Sequence, residues 1–406
     1  MSNSTKTSSA SVLEKAKQLQ SKIVELRRHL HAHPELSFHE FETAKLSAEK
    51  LAQLGYSVKT GVGKTGVVAD FSKGDKKNTG VTIAIRADMD GLPIEETNKA
   101  SYLSKNKGVM HACGHDAHVS CGLAAAEILT GEETGGRIRM LMQPAEEFGD
   151  DEGKSGAYRM LEDDALNGVS AVIGLHMDAG LEAGKVAIMP GPVMAAADGF
   201  TIKIKGVGGH GAYPETTVDA VVLGAQVVQA VQQIVSRRIS ALDPAIITIG
   251  SFHSSSSRGN VISDEVILEG TFRTFNEEVR KHIVEELEKA CSIARMLGGD
   301  YEIKYEMGYP TTVNDPEIAE IMKRAAIDLI GAENVITVKP KTWSEDFSMF
   351  AQKVPGAFMF LGGEIKGDTR LHHSPTFDLD ESGLWIGTAV LAETAKRLVT
   401  HFEAKK

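Results

Sequence analysis

The spacing of apolar residues changes character along the chain and marks out its elements. VLEKAKQLQSKIVELRRHL places Val12, Leu19, Ile23, Leu26 and Leu30 at helical spacing until Pro34 ends the run, which predicts an opening amphipathic helix. From there to about residue 190, the short apolar runs VTIAI (81–85), IRMLM (138–142) and AVIGL (171–175) alternate with helical patterns, one of them within about 117–130. Such alternation predicts an α/β layer with a largely parallel sheet.

Beyond Pro190 the rhythm differs. FTIKIKG alternates apolar and polar residues as a half-exposed strand does. A long helical stretch (VDAVVLGAQVVQAVQQIVSRR), two strands (AIITIGSF, VILEGTFRTF), a second helix (EEVRKHIVEELEKACSIARML) and a last strand (YEIKYEM) follow. The order βαββαβ predicts a ferredoxin-like four-stranded antiparallel sheet with two helices on one face. After about residue 305, helical patterns near 316–330 and 382–402 flank the apolar run AFMFLG (357–362), and the α/β character returns. The chain therefore parses as one α/β domain in two parts, 12–190 and 305–406, with a smaller domain, 191–304, inserted between them.

Composition narrows the class. Against 44 Lys plus Arg stand 55 Asp plus Glu, a net charge of −11, and no long basic run supplies the positive stripe that nucleic acid requires. No stretch approaches the roughly 20 apolar residues of a membrane span, so a soluble protein is expected. The first eleven residues, MSNSTKTSSAS, lack the apolar segment of a secretion signal and read as a disordered tail. Three cysteines, Cys113, Cys121 and Cys291, are too few and odd in number for a disulfide framework, which points to the cytoplasm.

The densest chemistry lies in MHACGHDAH (110–118), where thiol, imidazole and carboxyl groups crowd together as they do around zinc and its first-row neighbours. Gly114 argues against an uninterrupted helix through the motif. Cys113 and His115, two residues apart, can instead face the same way, and Asp116 reads as the N-cap of the following helix. Three strand-like runs end in polar groups: Asp88 and Asp90 after VTIAI, Glu146 and Glu147 after IRMLM, His176 after AVIGL. Singly, the aspartates read equally well as turn caps, and for His176 a core histidine is the lesser alternative. Their coincidence points to one site, because ligands of parallel sheets gather beyond the carboxyl ends of the strands.

Adjacent glutamates suit metal-assisted hydrolysis, which needs one carboxylate on the metal and another to take a proton from water. Their spacing does not say which is which. LHHSPTFDLDE (371–381) adds His372 or His373, GVGGHGAYP (206–214) presents His210 in a glycine-rich turn, and Arg273 on a strand suits a carboxylate partner. VGKTG (62–66) is no phosphate loop, since Val58 stands where that loop needs glycine.

HACGHDAH, QPAEE, GLH, GGHGAYP, GNVI, GTFRT, SEDF and HHSP, in this order over nearly the whole chain, resemble the co-catalytic metallopeptidase and aminoacylase superfamily. The nearest branch is similar to amidohydrolases of N-acyl amino acids such as hippurate or indole-acetyl amino acids. The resemblance implies Cys113, His115, Glu147, His176 and His373 as metal ligands, with Cys113 where other branches carry a bridging aspartate. It implies Glu146 as general base, His210 as the group that steadies the oxyanion, and Asn260 and Arg273 as binders of the amide oxygen and the free carboxylate. Asp88 takes the place of an acid behind the ligands, RAD standing where many relatives have His-x-Asp.

The activity so implied is hydrolysis of an N-acyl amino acid by a water bridging two divalent ions, with the small domain closing as a lid. Zinc is the first expectation for both ions, with manganese, cobalt or nickel as alternatives. Two other readings stay open: a metallo-carboxypeptidase or dipeptidase using the same site, and a metal-dependent binding protein without catalysis. Partners are small acyl amino acids or short peptides rather than nucleic acid or membrane, and a homo-oligomer through the lid domain is left open.

Overall fold

The computed structural model of the chain describes residues 3–73 and 80–406. Two compact units divide it: the chain up to Val193 with Val313–Lys339 and Asp346–Lys406, and Met194–Thr312 with Pro340–Glu345.

The first unit is built on an eight-stranded sheet in the order Ser57–Val62, Gly66–Phe71, Arg137–Gln143, Thr82–Asp88, Ala171–Glu182, Gly356–Glu364, Val186–Ala187, Val335–Ile336. The central pairs are parallel: Thr82–Asp88 lies between Arg137–Gln143 and Ala171–Glu182, and Gly356–Glu364 joins the latter. Thr82–Asp88 is buried at every position, as an interior parallel strand should be, and each of its isoleucines contributes about 1.5–3 kcal/mol by leaving water. Towards the Ser57–Val62 edge the pairing turns antiparallel, so the sheet is mixed rather than largely parallel. The helices Asn3–His31, His115–Thr130, Pro316–Ile330 and Leu384–Ala404 share one apolar core with these strands. Pro316–Ile330 shows why such segments fold locally: Asp315 accepts from the N–H groups of Glu317 and Ile318, Pro316 opens the first turn, and Gly331 closes the last.

Three local expectations need correction. The stretch read as a disordered tail is helical from Asn3, residues 1–2 lying outside the described residues, and the Ser9 hydroxyl donates to Glu393 at 2.7 Å. Asp116 does not cap its helix. The helix begins at His115 with Gly114 before it, and the Asp116 carboxylate is taken by Arg27 at 3.0 Å and His31 at 2.7 Å. His176 does not end its strand but sits within Ala171–Glu182, opposite Phe360.

The second unit carries a four-stranded antiparallel sheet, ordered Ala245–Ser254, Glu265–Thr274, Ala196–Lys205, Asp300–Glu306. Along Ala196–Lys205 buried and part-exposed positions alternate, and the buried set packs with the helices Ala220–Gln233 and Glu277–Cys291 in a separate core. Asp219 and Asn276 cap those helices. No described helix is long and apolar enough to cross a membrane.

Candidate metal centre

Gly114 shapes the HACGHDAH segment. Its φ of +95° is left-handed, and a Cβ there would stand 3.0 Å from the Cβ of Met177. The turn delivers Cys113 from loop and His115 from the first residue of a helix. The Cys113 thiol lies 3.4 Å from His176 Nε2 and 3.4 Å from His373 Nε2, and His373 Nε2 lies 3.3 Å from Glu147 Oε1. His115 Nε2 lies 3.9 Å from Glu147 Oε1 and 4.0 Å from Glu146 Oε2. Among the overlapping donor sets are Cys113/His115/His176, Cys113/Glu147/His373 and His115/Glu146/Glu147, each with its atoms within 4.8 Å of one another. Cys113, His115, Glu146, Glu147, His176 and His373 thus meet at one place.

Backbone partners fix which ring nitrogens are left to a ligand. His115 Nδ1 faces the Asp90 carbonyl at 2.9 Å and His176 Nδ1 faces the Met177 carbonyl at 2.6 Å. A carbonyl only accepts, so each Nδ1 carries a proton and it is Nε2 that faces the cluster, the nitrogen that offers a lone pair when the ring is neutral. His118 is the opposite case: its Nε2 accepts from the Met177 N–H at 2.8 Å, so its Nδ1 donates to Asp88 at 2.6 Å and no lone pair remains. His372 Nε2 likewise accepts from the Ala179 N–H at 3.1 Å. Spacing could not choose between His372 and His373; only His373 directs Nε2 at Cys113 and Glu147.

The glutamates sit on the turn after Arg137–Gln143. Ala145 there has φ +47°, and the turn is gripped closely, since a Cβ on Gly156 would fall 1.7 Å from the Pro144 carbonyl oxygen. Asp90 holds the next two residues, accepting from Glu146 N–H at 3.1 Å on Oδ1 and from Glu147 N–H at 3.0 Å on Oδ2. Ser37 and His115 complete its four bonds, at 2.6 and 3.2 Å. Asp90 is therefore more than the turn cap it resembles in sequence. Burial would raise its pKa, but the His115 hydrogen bond and its other donors hold it below the usual carboxylate range.

Electrostatically the cluster is a cation trap. Burial alone would lower the His115 pKa, yet Asp88 foremost, then Asp90 and Glu147, push it up to about 10. Burial and the nearby carboxylates of Glu147, Glu146 and Asp88 drive the Cys113 thiol upward. His115 Nε2 and Glu147 Oε1 are buried without a hydrogen-bond partner, a cost that a coordinating ion removes. Thiolate, imidazole and carboxylate donors in overlapping sets fit a pair of divalent cations.

In the second unit a short antiparallel ribbon pairs His210 with Val261, bringing Asn260 alongside. Gly211 donates to the Asn260 carbonyl at 2.9 Å, and a Cβ at 211 would press on it. His210 Nδ1 accepts from the Ala212 N–H at 3.0 Å, which leaves Nε2–H as an exposed donor. Arg273, on Glu265–Thr274, is half-buried; its guanidinium donates to the Thr271 hydroxyl and to the Phe272 carbonyl. Burial lowers its pKa.

An α/β fold carrying such a donor set on a central strand and on the turns that follow its neighbours suits a metal-dependent hydrolase. The model of peptidase family M20/M25/M40 matches residues 84–397, and the chain belongs to that family. Thermostable carboxypeptidase 2 of Saccharolobus solfataricus is 40% identical over 91% of this chain and 94% of that protein. N-acetyl-L-cysteine deacetylase of Bacillus subtilis is 39% identical over 96% and 91%. A solved B. subtilis structure, described as a dinuclear metal binding peptidase of the M20 family, superposes with TM-score 0.82 at 32% identity, covering 95% of this chain and 99% of that one. The chain is accordingly a hydrolase of amide bonds.

Proposed function

We propose that the protein hydrolyses the amide bond of N-acyl amino acids, with Cys113, His115, Glu147, His176 and His373 holding the two ions. The observation that carries the assignment is the convergence of these five donors, two of the histidines having Nε2 left as the lone-pair face by a backbone carbonyl on Nδ1. When bound, the ions supply Lewis acidity that acidifies water and polarises a carbonyl. Glu146 adjoins the donors without being needed in either Cys113-containing set, which suits a base that takes a proton from the attacking water and passes it to the leaving amine. His210, with its Nε2–H donor, takes the role of stabilising the oxyanion. Asn260 binds the amide oxygen, and Arg273 the free carboxylate by charge-assisted bonds.

Zinc suits the thiolate best, with manganese, cobalt or nickel able to use the same donors. The second unit has the strand and helix order of a ferredoxin-like lid, and its edge strand Ala245–Ser254, with Ile246 and Phe252 exposed, offers a pairing surface for a second copy. The free thiols of all three cysteines suit the cytoplasm.

Amine release from N-acetyl and N-benzoyl amino acids, with and without chelator and with each metal restored, tests the proposal. No release with any metal would overturn it. The likeness to a thermostable carboxypeptidase keeps a peptidase reading beside it; faster turnover of a dipeptide panel than of acyl amino acids would favour that reading.

A further inference from the structure

Glu40, between the opening helix and the helix Phe41–Gln53, is fully buried and faces no cation among its hydrogen-bond partners. Burial, reinforced by the Asp90 carboxylate, pushes its pKa up to about 7. A buried carboxyl without a counter-ion is costly, so what it holds is informative. Its Oε1 accepts from the N–H of Phe38 at 2.9 Å and from the N–H of Ala145 at 2.8 Å, while Oε2 accepts from the Thr65 hydroxyl at 2.5 Å.

Among the described residues, five other than glycine have positive φ: Phe38 at 60°, Lys64 at 78°, Ala145 at 47°, Asp164 at 61° and His373 at 57°. Three of them converge here, Phe38 and Ala145 through their own N–H groups and Lys64 through its neighbour Thr65. Left-handed backbone at residues with a Cβ is unfavourable and persists where the surroundings impose it. Ala145 immediately precedes Glu146 and Glu147, whose N–H groups go to Asp90. Three successive N–H groups of this turn are thus held by two buried carboxylates, Glu40 and Asp90.

We infer that Glu40 is a positioning residue for the Glu146–Glu147 pair, acting through the Ala145 N–H. The inference rests on the reading of Glu146 as base and Glu147 as ligand. What Glu40 supplies is acceptor geometry rather than charge. A glutamine can keep its oxygen on Phe38 and Ala145 and turn its NH2 to the Thr65 hydroxyl, which is able to accept. An aspartate keeps the charge but, one methylene shorter, cannot reach Ala145 and Thr65 together.

The test uses the full-length protein carrying Glu40→Ala, Glu40→Gln or Glu40→Asp. Each is titrated with cobalt(II) and followed by its visible absorption, and kcat and KM are measured on the best acyl amino acid. Glu40→Ala is expected to weaken cobalt binding about 10-fold and shift the cobalt bands, the scale of losing a group that orients a ligand. Its kcat should fall about 10–100-fold with KM nearly unchanged. Glu40→Gln should restore affinity, bands and kcat to near wild type, and Glu40→Asp should not.

If Glu40→Ala fails to fold, the order of Gln above Asp decides the matter. Asp equal to or better than Gln would overturn the inference. So would a folded Ala variant with wild-type cobalt bands and kcat, even one of lowered thermal stability. Wild-type protein that binds no cobalt or turns nothing over would instead strike the underlying functional reading.

Discussion

Replacing Asp90 by asparagine changes one atom's chemistry and almost no volume, which makes the cost calculable. The carboxylate accepts four bonds, two per oxygen: Glu146 N–H and His115 Nδ1–H on Oδ1, Glu147 N–H and the Ser37 hydroxyl on Oδ2. An asparagine oxygen serves one pair, and the NH2 must face the other. Ser37 adapts by rotating its hydroxyl, and His115 keeps the Asp90 carbonyl at 2.9 Å. In either orientation, however, one backbone N–H, of Glu146 or of Glu147, confronts an N–H. An orphaned buried donor costs about 1–3 kcal/mol, and a lost bond to a charged acceptor is of similar size, so Asp90→Asn should destabilise by about 2–4 kcal/mol. At roughly 2 °C per kcal/mol for a unit of this size, the unfolding midpoint should fall about 4–8 °C. The assay is thermal unfolding in excess chelator, which separates the hydrogen bonds from any stabilisation by bound ions, paired with kcat on the metal-loaded protein. A metal-free variant that melts with wild type, or a destabilised one of unaltered kcat, would refute the account of Asp90 as the clamp on the glutamate turn.

Glu146→Gln should abolish amine release while metal analysis still finds two ions per chain; appreciable turnover would remove Glu146 as the base. Arg27, fully buried, faces Asp116 at 3.0 Å, Asp378 at 3.1 Å and Glu381 at 3.2 Å, and Arg27→Met takes the shared guanidinium from all three, leaving Asp116 to His31, Asp378 to the Tyr102 hydroxyl and Glu381 to Arg28. Its stability should drop by about 3–5 kcal/mol in denaturant unfolding. The His115 pKa, raised to about 10, gives the metal-free protein a contribution to stability that is fully present below the ordinary value of 6.5 and fades as pH climbs towards 10. The same sign means that an ion binding near pH 7 displaces a proton from His115. Calorimetric metal titrations in buffers of different ionisation enthalpy should therefore show proton release, and buffer-independent heats would contradict it.

What could be read from the chain beforehand follows the range over which each interaction acts. The helix 316–330 was legible because Asp315, Pro316 and Gly331 signal its ends within a turn of them. The donor cluster was legible as chemistry because Cys113 and His115 share one motif and Glu146 and Glu147 are neighbours. Their sorting into ligand and bystander was not, since it depends on which backbone group meets each ring: Met177 N–H takes the lone pair of His118 and Ala179 N–H that of His372, across 59 and 193 residues. Asp116 resembled an N-cap for the same reason; its true partners, Arg27 and His31, lie in the opening helix, outside any local window. The Ser/Thr-rich start carried no apolar period, and its Ser9 is nonetheless buried against Glu393 in the last helix, a polar anchor that periodicity cannot register. Glu40 is the extreme case. Nothing about a glutamate before a helix announces a role, and only the folded chain shows left-handed turns at 38, 64 and 145 drawn onto its two oxygens. Local pattern named the groups able to do chemistry, whereas long-range backbone hydrogen bonding decides which of them are left free to do it.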